Sequence, residues 1–265
     1  MSTVRDKLIK LHWILSSQFG IDARRFLQSV AAVPRFLRDR SRFRKGYDGR
    51  ITMVPCLHDW YEQAGAAESE YFVQDLLVAR WIHDAKPRRH VDVGSRVDGL
   101  VAHVASFREI EVFDVRPMSV SIPGVTFTQA DLMLSVESAS AHDGYCDSLS
   151  CLHAIEHFGL GRYGDPIDPR GYERGIANMA RLVASGGRFY LSTPIGRERV
   201  EFNANRVFDP RTIIRCAGEQ GLRLSELVVI SSGGVVDRSR PSDETLLRLA
   251  NADYNLGVFI FDKIQ

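Results

Sequence analysis

The 265-residue sequence is poor in cysteine, with four, and no two of them stand as C-x-x-C. Cys56, Cys146, Cys151 and Cys216 therefore suggest neither a disulfide framework nor a cysteine-built zinc site, and a reducing cytoplasm is the expected compartment. No apolar run approaches the roughly 18–20 residues that span a bilayer. The opening MSTVRDKLIK lacks the apolar centre and small-residue cleavage site of a secretory signal. Neither secretion nor membrane insertion is expected. Internal repeats and low-complexity segments are missing as well. Net charge is nearly absent, with Lys+Arg 34 against Asp+Glu 33. What is present, 45% hydrophobic and 25% charged residues, suits a globular chain long enough to bury a sizeable core.

The near-neutral total hides an asymmetry. Residues 1–50 carry 12 Lys/Arg against 4 Asp/Glu, and the rest carry 22 against 29. In the basic part, Val4, Leu8, Leu11, Leu15 and Phe19 recur at helical spacing, and Gly20 ends that helix. Asp22 is placed to cap a second helix with Phe26, Leu27, Val30 and Val33 on one face, and Pro34 is expected to break or kink it. Residues 1–58 are read as a basic helical extension and 59–265 as an α/β domain. Within the latter, residues from about Asp59 to His83 are expected to be helical, with Tyr71, Phe72, Leu76 and Leu77 in the apolar stripe.

From His90 the period changes, and short apolar strands alternate with helices. HVDVG, EIEVFDV, GVTFTQAD, YCDSLSCL, RFYLSTP, LRLSELVVI and LGVFIFDKI give seven strands. Helices are expected over residues 100–107, 171–184 and 210–221. This alternation predicts an α/β fold with a largely parallel sheet.

In such sheets ligands sit beyond the carboxyl ends of the strands. The first strand-to-helix turn is Asp92-Val93-Gly94-Ser95-Arg96-Val97-Asp98-Gly99. The dinucleotide pattern G-x-G-x-x-G fails because Arg96 fills the second glycine position. The nucleotide-triphosphate loop fails because Leu100 and Val101 replace its Lys and Ser/Thr. What remains is a series of acids at successive strand ends: Asp92, Asp114 and Asp131. A carboxylate at the second of these can accept both hydroxyl hydrogens of a ribose. One at the third can accept from an adenine amino group.

With VDVGS, VFDVRP, FTQAD, DSLSCLHAIEHFG and the helix-Gly-Gly-strand unit ending in STP, residues 70–265 resemble the class I S-adenosylmethionine-dependent methyltransferases. VFDVRP and LHAIEHFGLGRYGDP also resemble a bacterial and nematode family of unknown function. The resemblance implies a seven-stranded Rossmann-like methyltransferase sheet whose last strand is antiparallel, with the basic helices as an N-terminal extension. It implies S-adenosylmethionine as cofactor, with Gly94 and Ser95 beside its methionine part, Asp114 on the ribose, and Asp131 with Leu132 at the adenine. Asp92 is counted with this group, and His153 with the pocket wall. Tyr71 and Gln74 are placed to lie over the cofactor.

His153-Ala-Ile-Glu156-His157 also spells the H-x-x-E-H of inverted zinc peptidases. A zinc-dependent hydrolase is one alternative function, and a non-catalytic nucleotide-binding module another. On the methyltransferase reading no metal ligands are assigned. His157 is the base for a hydroxyl acceptor and Glu156 orients it, since imidazole titrates near neutrality. Tyr163 completes the catalytic candidates. Arg162 and Asp165 in the following glycine-rich loop, and Asn203, Asn205 and Arg206 after the fifth strand, suit a polyhydroxylated or anionic acceptor. A small or carbohydrate-like acceptor follows.

Residues 23–50 mix arginines with Phe26, Phe36, Phe43 and Tyr47. They form no recognised RNA-binding module, so a nucleic-acid partner is not expected. A solvated helical cap is the plainer reading, with peripheral contact to an anionic membrane surface as the alternative. The oligomeric state is not indicated.

Overall fold

The computed structural model describes residues 4–61, 69–134, 143–231, 233–239 and 241–264. The chain divides into two compact units, residues 1–66 and 67–265.

The first unit contains helices α1 (Val4–Phe19) and α2 (Ala23–Arg44) and a short 3-10 turn, Asp59–Tyr61. Gly20 ends α1 with a positive φ of 68°, and the Asp22 side chain caps α2 by accepting from the Arg25 N–H. Pro34 does not break α2, which runs through it. It sits on the exposed side, where water can take the carbonyl that a proline leaves unbonded one turn earlier.

The second unit opens with α3 (Glu70–Ala85) and then alternates. The strands are β1 (His90–Val93), β2 (Ile110–Asp114), β3 (Val125–Gln129), β4 (Cys146–Leu152) and β5 (Val183–Ile195). They continue with β6 (Arg199–Glu201), β7 (Asn205–Val207), β8 (Leu222–Ser231), β9 (Val235–Ser239) and β10 (Asn255–Lys263). The helices between them are α4 (Ala102–Ala105), α5 (Gly171–Leu182), α6 (Pro210–Gly218) and α7 (Asp243–Asn251). Eight strands form one sheet in the order β3-β2-β1-β4-β5-β10-β8-β9, and β6-β7 is a separate hairpin. Strands β1 to β5 pair in parallel, and β10 is antiparallel to both neighbours. This is the expected Rossmann-like arrangement with its last strand antiparallel. The hairpin, β9 and α7 are additions that the sequence pattern does not announce.

Two apolar layers cover the sheet. Val91 and Val93 of β1 join the layer under α5, α6 and α7. Val78, Ala79 and Ile82 of α3 pack with Leu100, Val101 and Val104 on the other side. Period-two alternation turns His90 and Asp92 away from the valines, so β1 gives one face a purely apolar edge and the other a buried polar one. The helix expected over 100–107 begins instead as a π turn, Val97–Val101, and ends at Ala105. Gly99 inside that turn has non-helical angles, and a Cβ there would collide with Asp75 Oδ2 of α3. Helix and turn can approach this closely only at glycine. Among the described residues no helix is long and apolar enough to cross a membrane.

Candidate active site

The sheet order reverses between β1 and β4, and the carboxyl ends of β1, β2 and β4 open there onto one cleft. It encloses about 520 Å³, its open mouth included, and its lining includes Gly94, Asp114, Asp131, Leu132, His153 and Tyr163. Gly94 ends β1 with φ 70°, and a Cβ there would come within 3.0 Å of the Ala154 Cβ. Bare backbone at this turn keeps the cleft floor open.

Asp114 ends β2 with its side chain nearly buried. Its Oδ1 accepts from the Arg116 N–H (2.8 Å) and Nε (3.0 Å), and Oδ2 accepts from the Arg116 guanidinium at 2.6 Å. The Arg116 guanidinium lies 4.7 Å from the Tyr163 ring centre. Asp131 Oδ1 accepts from the Met133 N–H at 2.8 Å, and Asn178 donates to the Leu132 carbonyl at 2.7 Å. The turn after β3 is thereby fixed with Asp131 and Leu132 on the cleft wall.

Asp92 is placed differently from the other acids. It is fully buried and does not line the cleft. Its carboxylate accepts from Ser95 Oγ (2.6 Å), the Ser95 N–H (3.0 Å) and Ser150 Oγ (2.5 Å). Ser95 Oγ in turn accepts from the Leu152 N–H at 3.1 Å. Asp92 and Ser95 therefore lock the β1 turn against β4 from beneath. Burial, offset only partly by these hydrogen bonds, pushes Asp92 up to about 6. Gln74 is similarly committed, accepting from Ser192 Oγ at 2.5 Å and donating to Asp75 at 3.1 Å. Arg96, which broke the glycine pattern, points outward and pairs with Asp98 at 2.7 Å, with both side chains exposed. It leaves the cleft clear.

The histidine segment forms a 3-10 turn after β4, Ile155–His157. Here the pairing departs from expectation: Glu156 Oε1 lies 2.9 Å from His153 Nδ1 but 3.9 Å from His157 Nε2. His157 turns its Nδ1 to the Ala204 carbonyl at 2.7 Å. Glu156 is buried, which alone would raise its pKa, yet the His153 hydrogen bond and both imidazoles hold it below the usual carboxylate range. An ionised Glu156 can only accept, so His153 in its neutral form carries its proton on Nδ1. Its Nε2 is then a bare acceptor, buried and without a hydrogen-bond partner. Tyr71 of α3 stacks on the same ring with centroids 4.1 Å apart. Burial first, then Glu156 nearby, pushes the Tyr71 phenol up to about 12. His153 also adopts a positive φ of 50°, rare for a non-glycine residue. Burial draws the His157 pKa down despite Glu156.

The loop beyond is a braced structure. Asp165 accepts from the N–H groups of Gly159 (2.9 Å), Gly161 (3.1 Å) and Tyr163 (3.1 Å). Arg206, almost fully buried, donates to the carbonyls of Phe158 (2.6 Å) and Glu156 (3.3 Å). Both are candidate acceptor contacts, and the geometry gives both a bracing role in the loop, while Asp165 also stands on the cleft wall. Asn205 donates to the Arg206 carbonyl, and Asn203 is exposed on the β6-β7 turn. Arg162 donates to the Ala204 carbonyl at 2.8 Å. Only Tyr163, with His157 edge-on to it at 5.4 Å, reaches the cleft among these loop candidates besides Asp165 itself. Arg116 was missed, although VFDVRP carries it two residues after Asp114.

A family model described as Caenorhabditis protein of unknown function, DUF268, matches residues 111–217. That stretch includes VFDVRP and LHAIEHFGLGRYGDP, the motifs on which the resemblance to a family of unknown function rested. No curated protein matches the sequence significantly. Among solved structures, the N-methyltransferase NodS from Bradyrhizobium japonicum WM9, in complex with S-adenosyl-L-homocysteine, is 14% identical, covering 78% of this chain and 92% of that one with a TM-score of 0.49. The YcgJ protein from Bacillus subtilis is 14% identical over 72% of this chain and 99% of its own, with a TM-score of 0.48. The [4+2]-cyclase SpnF is also 14% identical, over 66% and 75%, with a TM-score of 0.47.

Proposed function

We propose that the chain is an S-adenosylmethionine-dependent methyltransferase acting on a hydroxyl of a small or carbohydrate-like acceptor in the cytoplasm. The observation that carries this reading is a gathering of three groups in one cleft at the switch point of the sheet. They are a left-handed glycine ending β1, an acid ending β2, and a fixed acid–leucine pair after β3. The residues fit the cofactor. Gly94 offers bare backbone beside the methionine part, Asp114 Oδ2 retains a lone pair for a ribose hydroxyl, and Asp131 with Leu132 offers an acceptor and an apolar wall to adenine. When bound, the cofactor supplies an electrophilic methyl group on a sulfonium.

The protein's own part is to position the acceptor and take up its proton. On this reading His153 takes the role first given to His157. Glu156 fixes its tautomer, and the unpartnered Nε2 is free to accept a hydroxyl proton. Glu156 then stabilises the imidazolium, and Tyr163 walls the acceptor side. The zinc-hydrolase alternative finds no matching donor set: among the described residues no three His, Cys, Asp or Glu side chains converge as ligands.

Calorimetry with S-adenosylhomocysteine tests the cofactor. Wild type should bind, and Asp114→Ala should weaken binding about 10- to 100-fold, the loss of hydrogen bonds to a charged group. No binding by the wild type sinks the proposal. Binding without methyl transfer from tritiated cofactor to any polar small-molecule fraction favours the non-catalytic module instead.

A further inference from the structure

We infer that the first unit is a docking surface for an anionic phospholipid bilayer, with α1 and α2 lying in its interface. The exposed side of helix α2 is its apolar one. Its one buried residue is Ala32, flanked by half-buried Gln28, Ser29, Arg35 and Phe36. At about 100° per residue, Phe26, Leu27, Val30, Val33 and Leu37 fall on the opposite side, and all are exposed. Phe26 is 67% and Leu27 65% accessible. Helix α1 adds exposed Leu8, Leu11, Trp13 and Phe19. Ala32 is the only buried apolar residue among the described residues of this unit. Such an apolar surface far exceeds the scattered exposed side chains of an ordinary soluble domain.

Charge decides the occupant. Arg24 and Arg38 run along one margin of the α2 stripe and Arg40 along the other, while Arg44, in line with Phe26 at the end of the helix, donates to the Gly49 carbonyl at 2.7 Å. All are exposed, with Arg38 also reaching exposed Asp39 at 3.4 Å. Residues 23–50 hold nine Lys/Arg against two Asp/Glu. A second copy of this face would set arginine against arginine, and the like charges would repel. A bilayer bearing anionic headgroups offers both an apolar phase for the stripe and a negative potential for its margins. The inference does not depend on the cofactor reading.

The test is flotation of the full-length protein with phosphatidylcholine vesicles, with and without roughly 30% phosphatidylglycerol, an anionic content that gives a strong surface potential. Partitioning should be at least about tenfold greater on the anionic vesicles, and should fall as salt is raised to about 0.5 M, where screening shortens the reach of charge. Trp13 emission, isolated by Trp60→Phe and Trp81→Phe, should shift to the blue. Phe26→Ser, Leu27→Ser and Leu37→Ser together should abolish partitioning. Their far-ultraviolet spectrum without vesicles should remain that of wild type, since these side chains bury nothing. Arg24→Gln, Arg38→Gln and Arg40→Gln should weaken it about fivefold each. Equal partitioning on neutral and anionic vesicles, or none, overturns the inference. So does a concentration-dependent dimer that the three serine substitutions dissociate, or salt-sensitive binding to a single-stranded oligonucleotide that they leave intact.

Discussion

At the scale of residues, a buried polar chain beneath the cleft couples stability to pH in two opposed ways. His90 Nδ1 lies 2.8 Å from Ser148 Oγ and Nε2 lies 3.2 Å from Ser150 Oγ. Ser150 gives its one proton to Asp92, so His90 must donate from Nε2 and accept at Nδ1. It is the neutral tautomer, and burial pulls its pKa down to about 3. The unfolded chain takes a proton at His90 that the folded chain refuses, so this contribution to stability is lost as pH falls from 6.5 toward 3. Asp75 has the opposite sign. Burial, reinforced by Asp92 and eased by Gln74, pushes it up to about 6. Its proton is held more tightly in the folded state, so its contribution is complete below about pH 4 and is lost as pH rises through about 6. Asp75→Asn should therefore stabilise the protein by about 1–3 kcal/mol at pH 8 and by little at pH 4, read from urea midpoints at both pH values. Ser150→Ala should cost about 1–3 kcal/mol by orphaning the His90 donor. For the catalytic reading, His153→Asn should keep S-adenosylhomocysteine affinity yet reduce methyl transfer about 10²- to 10⁴-fold, with His157→Asn milder. Equal loss of affinity and transfer would make His153 structural. The sequence showed that acids stand at strand ends, and Asp114 and Asp131 do reach the cleft. It could not show that Asp92 faces inward, because which face a strand residue takes depends on what packs on each side.

Among the elements, the loop between the 3-10 turn and α5 is long and glycine-rich but rigidly tied. Asp165 satisfies three of its amides, Arg206 reaches in from β7 to its carbonyls, and the Arg206 guanidinium lies 5.3 Å from the Tyr172 ring centre. Burial draws the Arg206 pKa down, and the carbonyls of Glu156, Phe158, Asp168 and Pro169 take its N–H donors. Arg206→Met should cost about 2–4 kcal/mol in urea unfolding, since hydrogen bonds to a charged group go and buried carbonyls are left without partners. Asp165→Ala should speed amide exchange at Gly159, Gly161 and Tyr163 at least about tenfold while leaving β4 protected, the mark of local opening. Unchanged exchange in the loop would show that its turns alone hold it. Element types were legible wherever periodicity was strong, as in β1 to β5, β8 and β10. The β6-β7 hairpin was not, because three-residue strands are too short to show a period. The stripe of α2 was read correctly as a stripe, but periodicity says only that apolar residues share a face, not what that face meets.

The whole molecule joins two units of unlike physics. The first carries 12 Lys/Arg against 6 Asp/Glu and the second 22 against 27, so the charge asymmetry evident in the sequence maps onto the structural division. Both extended apolar cores belong to the second unit, whereas among the described residues of the first only Ala32 is buried. A unit of this size with so little core is marginal in water, and its helices should gain order only when their apolar faces are covered. Calorimetry of the full chain should accordingly show one cooperative transition, that of residues 67–265. A cofactor analogue at about 100 times its dissociation constant adds about 2.7 kcal/mol to the native state. For a domain of this length that should raise the transition by about 5–10 °C. Anionic vesicles should leave the midpoint in place and instead deepen the helical signal at 222 nm, because they act on the other unit. A midpoint raised equally by cofactor analogue and vesicles would mean that the two units melt as one body. The basic helices would then belong to the folding of the second unit and not to a separate docking device.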